Sequence, residues 1–281
     1  MKSWQAWLPL SVALLSLTAN AATEIGAVTL AEGGVRVLRG ATWYKVVAGT
    51  RVEEADIVEE PDRAQVQIEL AAGSIVDLAG PGMLYLAPST VKSAPVTLTT
   101  PNGWLKVAAK PPGVRLRMSA FDVVVADGIV VAHTQPGAAD VFVEAGSARL
   151  VESTATGAEG PAHDLKRGEY LAKAGSGANT TAARAPKAFV DAMPRQFADA
   201  LPVLAGKIKS NPALVVDHEI TYAEAEPWLA GRDRATFEKR FAGRLRDPAF
   251  RKAVEPNLAR YPAWDRQLHP EKYAPRDVPA K

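Results

Sequence analysis

The sequence predicts a mainly β N-terminal domain followed by a small α-helical C-terminal domain. Three observations predict it. Between about Ile25 and Ala172, apolar and polar residues alternate, which is the period of a half-buried strand. Gly, Pro, Asp and Asn break those runs at short, fairly even intervals, as turns between antiparallel strands in a sandwich or rolled sheet do. From Pro186 onward the apolar spacing changes to three and four, the period of a helix.

Residues 1–21 read as a signal peptide. Lys2 gives the positive start, Leu8 to Leu17 a short apolar core, and Ala19-Asn20-Ala21 a cleavage site after Ala21. That core is about half the ~20 residues a membrane-spanning helix needs, so no anchor is expected after cleavage. The mature protein is expected to be periplasmic or secreted.

The β domain is assigned to residues 22–172. Val35 to Leu38 and Val66 to Leu70 alternate cleanly. Short runs follow at 75–78, 83–86, 96–98, 104–107, 114–118, 123–126, 129–132, 141–143 and 148–151. Asp127-Gly128 between two Val-rich runs predicts a hairpin, because both turn positions favour positive φ. Residues 173–185, mostly Ala, Gly, Thr, Ser and Asn, predict a flexible linker.

The helical domain is assigned to residues 186–262. Phe189, Met193, Phe197, Leu201, Leu204 and Ile208 mark one helix face, kinked or split by Pro194 and Pro202. Thr221 and Glu224 form a capping box. Asp233 can cap a helix carrying Phe237, Phe241 and Leu245, and Asp247-Pro248 starts another. Residues 263–281 are expected to form an extended tail.

Composition excludes several classes. Lys and Arg total 33 against 31 Asp and Glu, so the chain is neither a globally basic nucleic-acid binder nor an acidic tail protein. The absence of Cys removes disulfides, thiol nucleophiles and thiolate metal sites. Charge divides unevenly, with a net of −4 over 22–175 and +5 over 176–281. That division fits docking of the helices on the β part, or attraction to anionic envelope polymers.

The order of motifs resembles the periplasmic β domain of FecR-type proteins. Ile25-Gly26-Ala27-Val28 and Gly34-Val35-Arg36-Val37 match its opening strands. Gly49 and Glu53 to Ile57 stand where that family has a glycine and then a Gly-Asp-x-Ile step, with Ala55 in place of the second glycine. Ala64 to Leu70 with Gly73-Ser74, Val141 to Val151, and Leu165 to Glu169 match its later elements. The resemblance covers roughly Ile25 to Ala172. Typical members also carry a cytoplasmic segment that touches a sigma factor and a membrane helix. Neither is read here, so the resemblance implies an envelope module without direct sigma-factor regulation. Tyr222 to Leu229, Phe250-Arg251, Tyr261 to Asp265 and Pro270 to Tyr273 resemble a C-terminal extension of exported proteins carrying this module.

The residues supply no catalytic constellation. His133, His163, His218 and His269 are far apart; Glu159 and Asp265 precede two of them by four residues, which is too few ligands for a metal. There is no Gly-x-Ser-x-Gly turn or phosphate-cradling loop. The acidic run Glu53, Glu54, Asp56, Glu59, Glu60 and Asp62 lacks the spacing of a calcium loop and reads as a solvated strand edge. Hence no catalytic, cofactor or metal residue is assigned, no cofactor is expected, and the chain reads as a non-enzyme. The candidate interaction surface is Trp43, Tyr44, Trp104, Arg240, Arg244, Arg251, Trp264 and Tyr273, with Trp43-Tyr44 favoured for exposure and Trp228 and Tyr261 as further aromatics. Each has a structural alternative as core or solvated helix face.

The expected function is a non-catalytic exported envelope protein whose β module mediates protein–protein interaction or envelope signal sensing. The alternative is a binder of peptidoglycan or another envelope polysaccharide, with a glycan hydrolase a weaker third. The expected partner is an envelope protein, and no nucleic acid.

Overall fold

The computed structural model of the protein describes residues 23–61, 64–89, 94–154, 159–175 and 177–273. The expected export segment and Asp62 lie outside them. Among the described residues, no helix is long and apolar enough to cross a membrane.

The chain opens with β1 (Glu24–Glu32), β2 (Arg36–Arg39), β3 (Thr42–Lys45), β4 (Arg51–Glu53) and β5 (Ile57–Glu60). Next come β6 (Gln65–Leu70), β7 (Ile75–Ala79), β8 (Gly82–Ala87) and β9 (Val96–Thr99). β10 (Gly103–Ala109), β11 (Val114–Arg117), β12 (Phe121–Val125) and β13 (Gly128–Gln135) follow. Last in this part are β14 (Ala138–Ser153), β15 (Glu159–Lys166), β16 (Tyr170–Ala174) and β17 (Thr180–Ala182).

These strands form two sheets. The first runs β4-β1-β6-β7-β10-β13-β14-β16-β17. The second runs β3-β2-β5-β8-β9-β11-β12-β14-β15. Pairing is antiparallel throughout except between β9 and β11. β14 serves both sheets: Ala138 to Gly146 pairs with β13, and Ser147 to Ser153 with β15. Gly146 sits at the change-over with φ 73°, and a Cβ there would lie 2.5 Å from the Asp127 carbonyl oxygen.

Alternation sorts each strand into two faces. Val66, Ile68 and Leu70 of β6, Leu105 and Val107 of β10, and Leu116 of β11 meet in the core between the sheets. The Asp127-Gly128 step is not the predicted hairpin. It carries the chain from β12, in the second sheet, to β13, in the first. A period-two pattern reveals strands but not which sheet each one joins.

The C-terminal part packs on residues of both sheets. The expected linker contains the end of β16 and all of β17, paired from Tyr170↔Ala182 to Ala172↔Thr180. The expected helix is split: residues 186–208 contain α1 (Lys187–Ala192) and two 3-10 turns, Arg195–Ala198 and Ala205–Lys207. Pro194 and Pro202 stand between these pieces, where each removes a helical hydrogen bond. This strap lies on the outer face of the first sheet, with Phe189 and Phe197 packed against Ala79, Val131 and Tyr170.

β18 (Val215–Glu219) then adds to β3 and extends the second sheet. The helices proper are α2 (Tyr222–Leu229), α3 (Arg234–Phe241), α4 (Pro248–Val254) and α5 (Pro262–Leu268); α5 and a final 3-10 turn at Pro270–Tyr273 stand where an extended tail was expected. The Thr221–Glu224 capping box forms, and Asp247 caps α4 through Ala249 and Phe250. Asp233 makes no such cap. The helices roof the outer face of the second sheet, with Trp228, Phe237 and Phe241 over Leu38, Trp43, Ile57 and Tyr85.

Candidate functional site

The strap is fixed by polar groups on an outer strand face that alternation alone assigns to solvent. Lys106 is fully buried; its Nζ donates to the Phe197 and Asp199 carbonyls, each at 2.8 Å, and lies 2.7 Å from Glu144 Oε2. Gln67 Nε2 donates to the Pro202 carbonyl at 3.0 Å, and Glu69 Oε1 accepts from the backbone of Leu204 and Ala205. Asp77, beside them, accepts from Gln65 Nε2 at 2.7 Å, and burial pushes its pKa up to about 7. Lys106, Gln67 and Glu69 hold the strap in place.

The residues singled out in the sequence do not converge on one surface. Trp43 is 0% exposed, beneath the helices and with the Arg36 guanidinium over its ring; the roof on this sheet face overturns its expected exposure. Tyr44 is half-buried against the inter-sheet core. Trp104 stacks on His133 and meets Phe189 of the strap. Trp264 is buried, its Nε1 donating to the Glu238 carbonyl, and Tyr261 is buried beside it. Arg251 and Tyr273 are exposed, and the Tyr273 hydroxyl donates to Asp265.

Arg240 belongs to the joint between helices and sheet. Its guanidinium donates to the carbonyls of Leu38, Gly40 and Ala55, at 2.9, 2.7 and 2.5 Å, and burial lowers its pKa. Arg244 donates to the Ile220 carbonyl and pairs with Asp247 and Glu219. Together with Arg232–Asp122 and Arg36–Glu224, these contacts dock the helices on the β part. Glu59 and Glu60 of the acidic run are also internal, because β5 lies between β2 and β8 and is not an edge. Asp56 and Glu53 bind Arg39, and Glu59 binds Arg36.

The nearest approach to an acid–base pair joins β14 and β15. His163 Nε2 lies 2.8 Å from Glu152 Oε1, and Lys173 and Asn179 hold the same carboxylate. Hydrogen bonds from Lys173 and then His163 lower its pKa to about 2, so it stays ionised and fully engaged. Among the described residues, no three His, Asp or Glu side chains gather as a metal would require.

Two features among the described residues are open to a partner. One is a cleft of about 590 Å³ where the ends of β9 and β11, the β13–β14 turn and the α2–α3 turn meet. Its walls are largely apolar, with Met83, Pro101, Met118, Pro136, Pro227 and Trp228 prominent. The second is β18, which among the described residues pairs only with β3 and leaves its other edge open. Val215 and Val216 on β18 are 59% and 61% exposed, and nearby Val47 is 53% exposed. Neither feature was legible in the sequence. The cleft draws its walls from segments over a hundred residues apart, and Val215-Val216 forms only a short strand.

No protein-family model matches the chain, and no curated protein sequence does. Two crystal structures of a candidate anti-sigma factor from Parabacteroides distasonis ATCC 8503 are similar to part of it, at 14% and 13% identity, each with a TM-score of 0.40. Each similarity covers 46% of this chain and 59% of the other, so the match spans less than two thirds of that protein.

Proposed function

We propose that the protein is an exported, non-catalytic envelope protein whose FecR-like β module binds another protein, in scaffolding or in envelope signal sensing. The observation that carries this reading is the open edge at β18. An edge strand with unpaired backbone groups is a template for a further strand, and native proteins usually blunt such edges with charge, proline or a cover. Here two adjacent valines stand exposed on it. The N-terminal segment and the motif order of the β part support the envelope assignment.

A photo-crosslinking residue at Val216, in the native host, tests it. A single dominant protein adduct in the envelope fraction is expected, absent when the same residue replaces Val190 on the strap. Equal labelling from both positions, or a chain retained in the cytoplasm with residues 1–21 attached, would refute the proposal.

A further inference from the structure

The strap on the first sheet is a device separate from the β18 edge. It crosses the sheet from Lys106, which holds the carbonyls of Phe197 and Asp199, to Gln67, which holds that of Pro202. Asp77 lies between these two anchors. On β7 it is the direct cross-strand partner of Gln67 on β6 and of Lys106 on β10. Residues directly opposite one another share a sheet face, so all three side chains stand on the face the strap covers. Asp77 is 1% exposed.

Both neighbours have committed their hydrogens elsewhere. An ammonium carries three, and those of Lys106 go to the two strap carbonyls and to Glu144 on β14. A side-chain amide nitrogen carries two, and those of Gln67 Nε2 go to the Pro202 carbonyl and Thr29 Oγ1. Asp77 is left with one donor, Gln65 Nε2 on its Oδ2, and its Oδ1 has no hydrogen-bond partner among the described residues. The Glu69 carboxylate on β6 is itself an acceptor, taken by the backbone of Leu204 and Ala205. The charged side chains of the strap, Arg195, Asp199 and Lys207, are exposed. A buried carboxylate served by one donor is costly, so the closed strap keeps Asp77 neutral, and burial raises its pKa to about 7. Once ionised, Asp77 competes with the strap carbonyls for the hydrogens of Lys106 and Gln67, one strand away on either side.

We propose that the strap is a pH-gated cover of the first sheet: with Asp77 protonated, Lys106 and Gln67 hold it closed, and ionisation of Asp77 draws their hydrogens away, admits water and lifts it. In water the same carboxyl returns to its ordinary 3.8, so closing takes up a proton between that value and about 7. Closure is firmest below about pH 4, weakens about tenfold per pH unit as pH rises to about 7, and is constant above it.

Amide hydrogen exchange of the full chain between about pH 5 and pH 7 tests this gate. The reporters are the Leu204 and Ala205 amides, which Glu69 holds. Each rate is divided by that of Asp77→Asn at the same pH, which cancels the intrinsic pH dependence of exchange. Asp77→Ala, equally unable to ionise, is the second reference. The ratio should rise at least about tenfold across this range against both references. The strap amides should also exchange faster than those of Leu105 and Val141, which lie in the core between the sheets. A ratio flat with pH, or one that falls, would overturn the gate. So would strap amides that exchange only as fast as the core, because the whole fold would then be opening.

Discussion

Replacing Ala55 by glycine should stabilise the protein. Among the described residues, Ala55 is the one non-glycine with positive φ, at 68°. The strained residue is held from both sides. Its N–H donates to the Leu86 carbonyl at 2.7 Å and its carbonyl accepts from Arg240 at 2.5 Å, so it cannot relax without releasing the helices. The left-handed region costs an L-residue about 1–2 kcal/mol. Glycine removes that cost but returns about 0.4–1 kcal/mol through the freedom it adds to the unfolded chain. The Ala55 methyl is only half-buried against the aromatic cluster, so losing it costs less than the ~0.8 kcal/mol of a fully buried methylene. The balance is a gain of about 0.5 kcal/mol. Ala55→Val should go the other way by about 2 kcal/mol, because a β-branched residue tolerates this region less well. Urea denaturation of both variants is the assay, with Ala41→Gly as a control at an ordinary φ in a neighbouring turn. The reasoning fails if Ala55→Gly destabilises as much as Ala41→Gly.

Two more outcomes follow from buried charges. Asp77 has a folded pKa near 7 against an ordinary 3.8, so folding takes up a proton between those values, and its contribution to stability is greatest below about pH 4 and declines as pH rises to about 7. The slope is at most about 1.4 kcal/mol per pH unit. Urea midpoints from pH 4 to 8 should show Asp77→Asn gaining on the native protein as pH rises; parallel curves would rule this out. Arg240→Lys keeps the charge but loses the fork that spans three carbonyls. It should cost about 2–3 kcal/mol, and a loss below about 0.5 kcal/mol would mean that the helices dock without it.

The sequence by itself determined the strands from β6 to β13, the change of period after residue 186, and the caps at Thr221 and Asp247, because each depends on neighbours a few positions away; it divided β14 into two runs, which the structure joins in one strand. Tertiary structure decided what covers each face. Gln67, Glu69 and Lys106 alternate like solvent-facing residues but lie under the strap, and Trp43 and Arg240 lie beneath the helical roof or within its joint. Alternation reports that a strand has two unlike faces; what lands on the outer one depends on contacts between residues as far apart as Leu38 and Arg240, which no local pattern encodes.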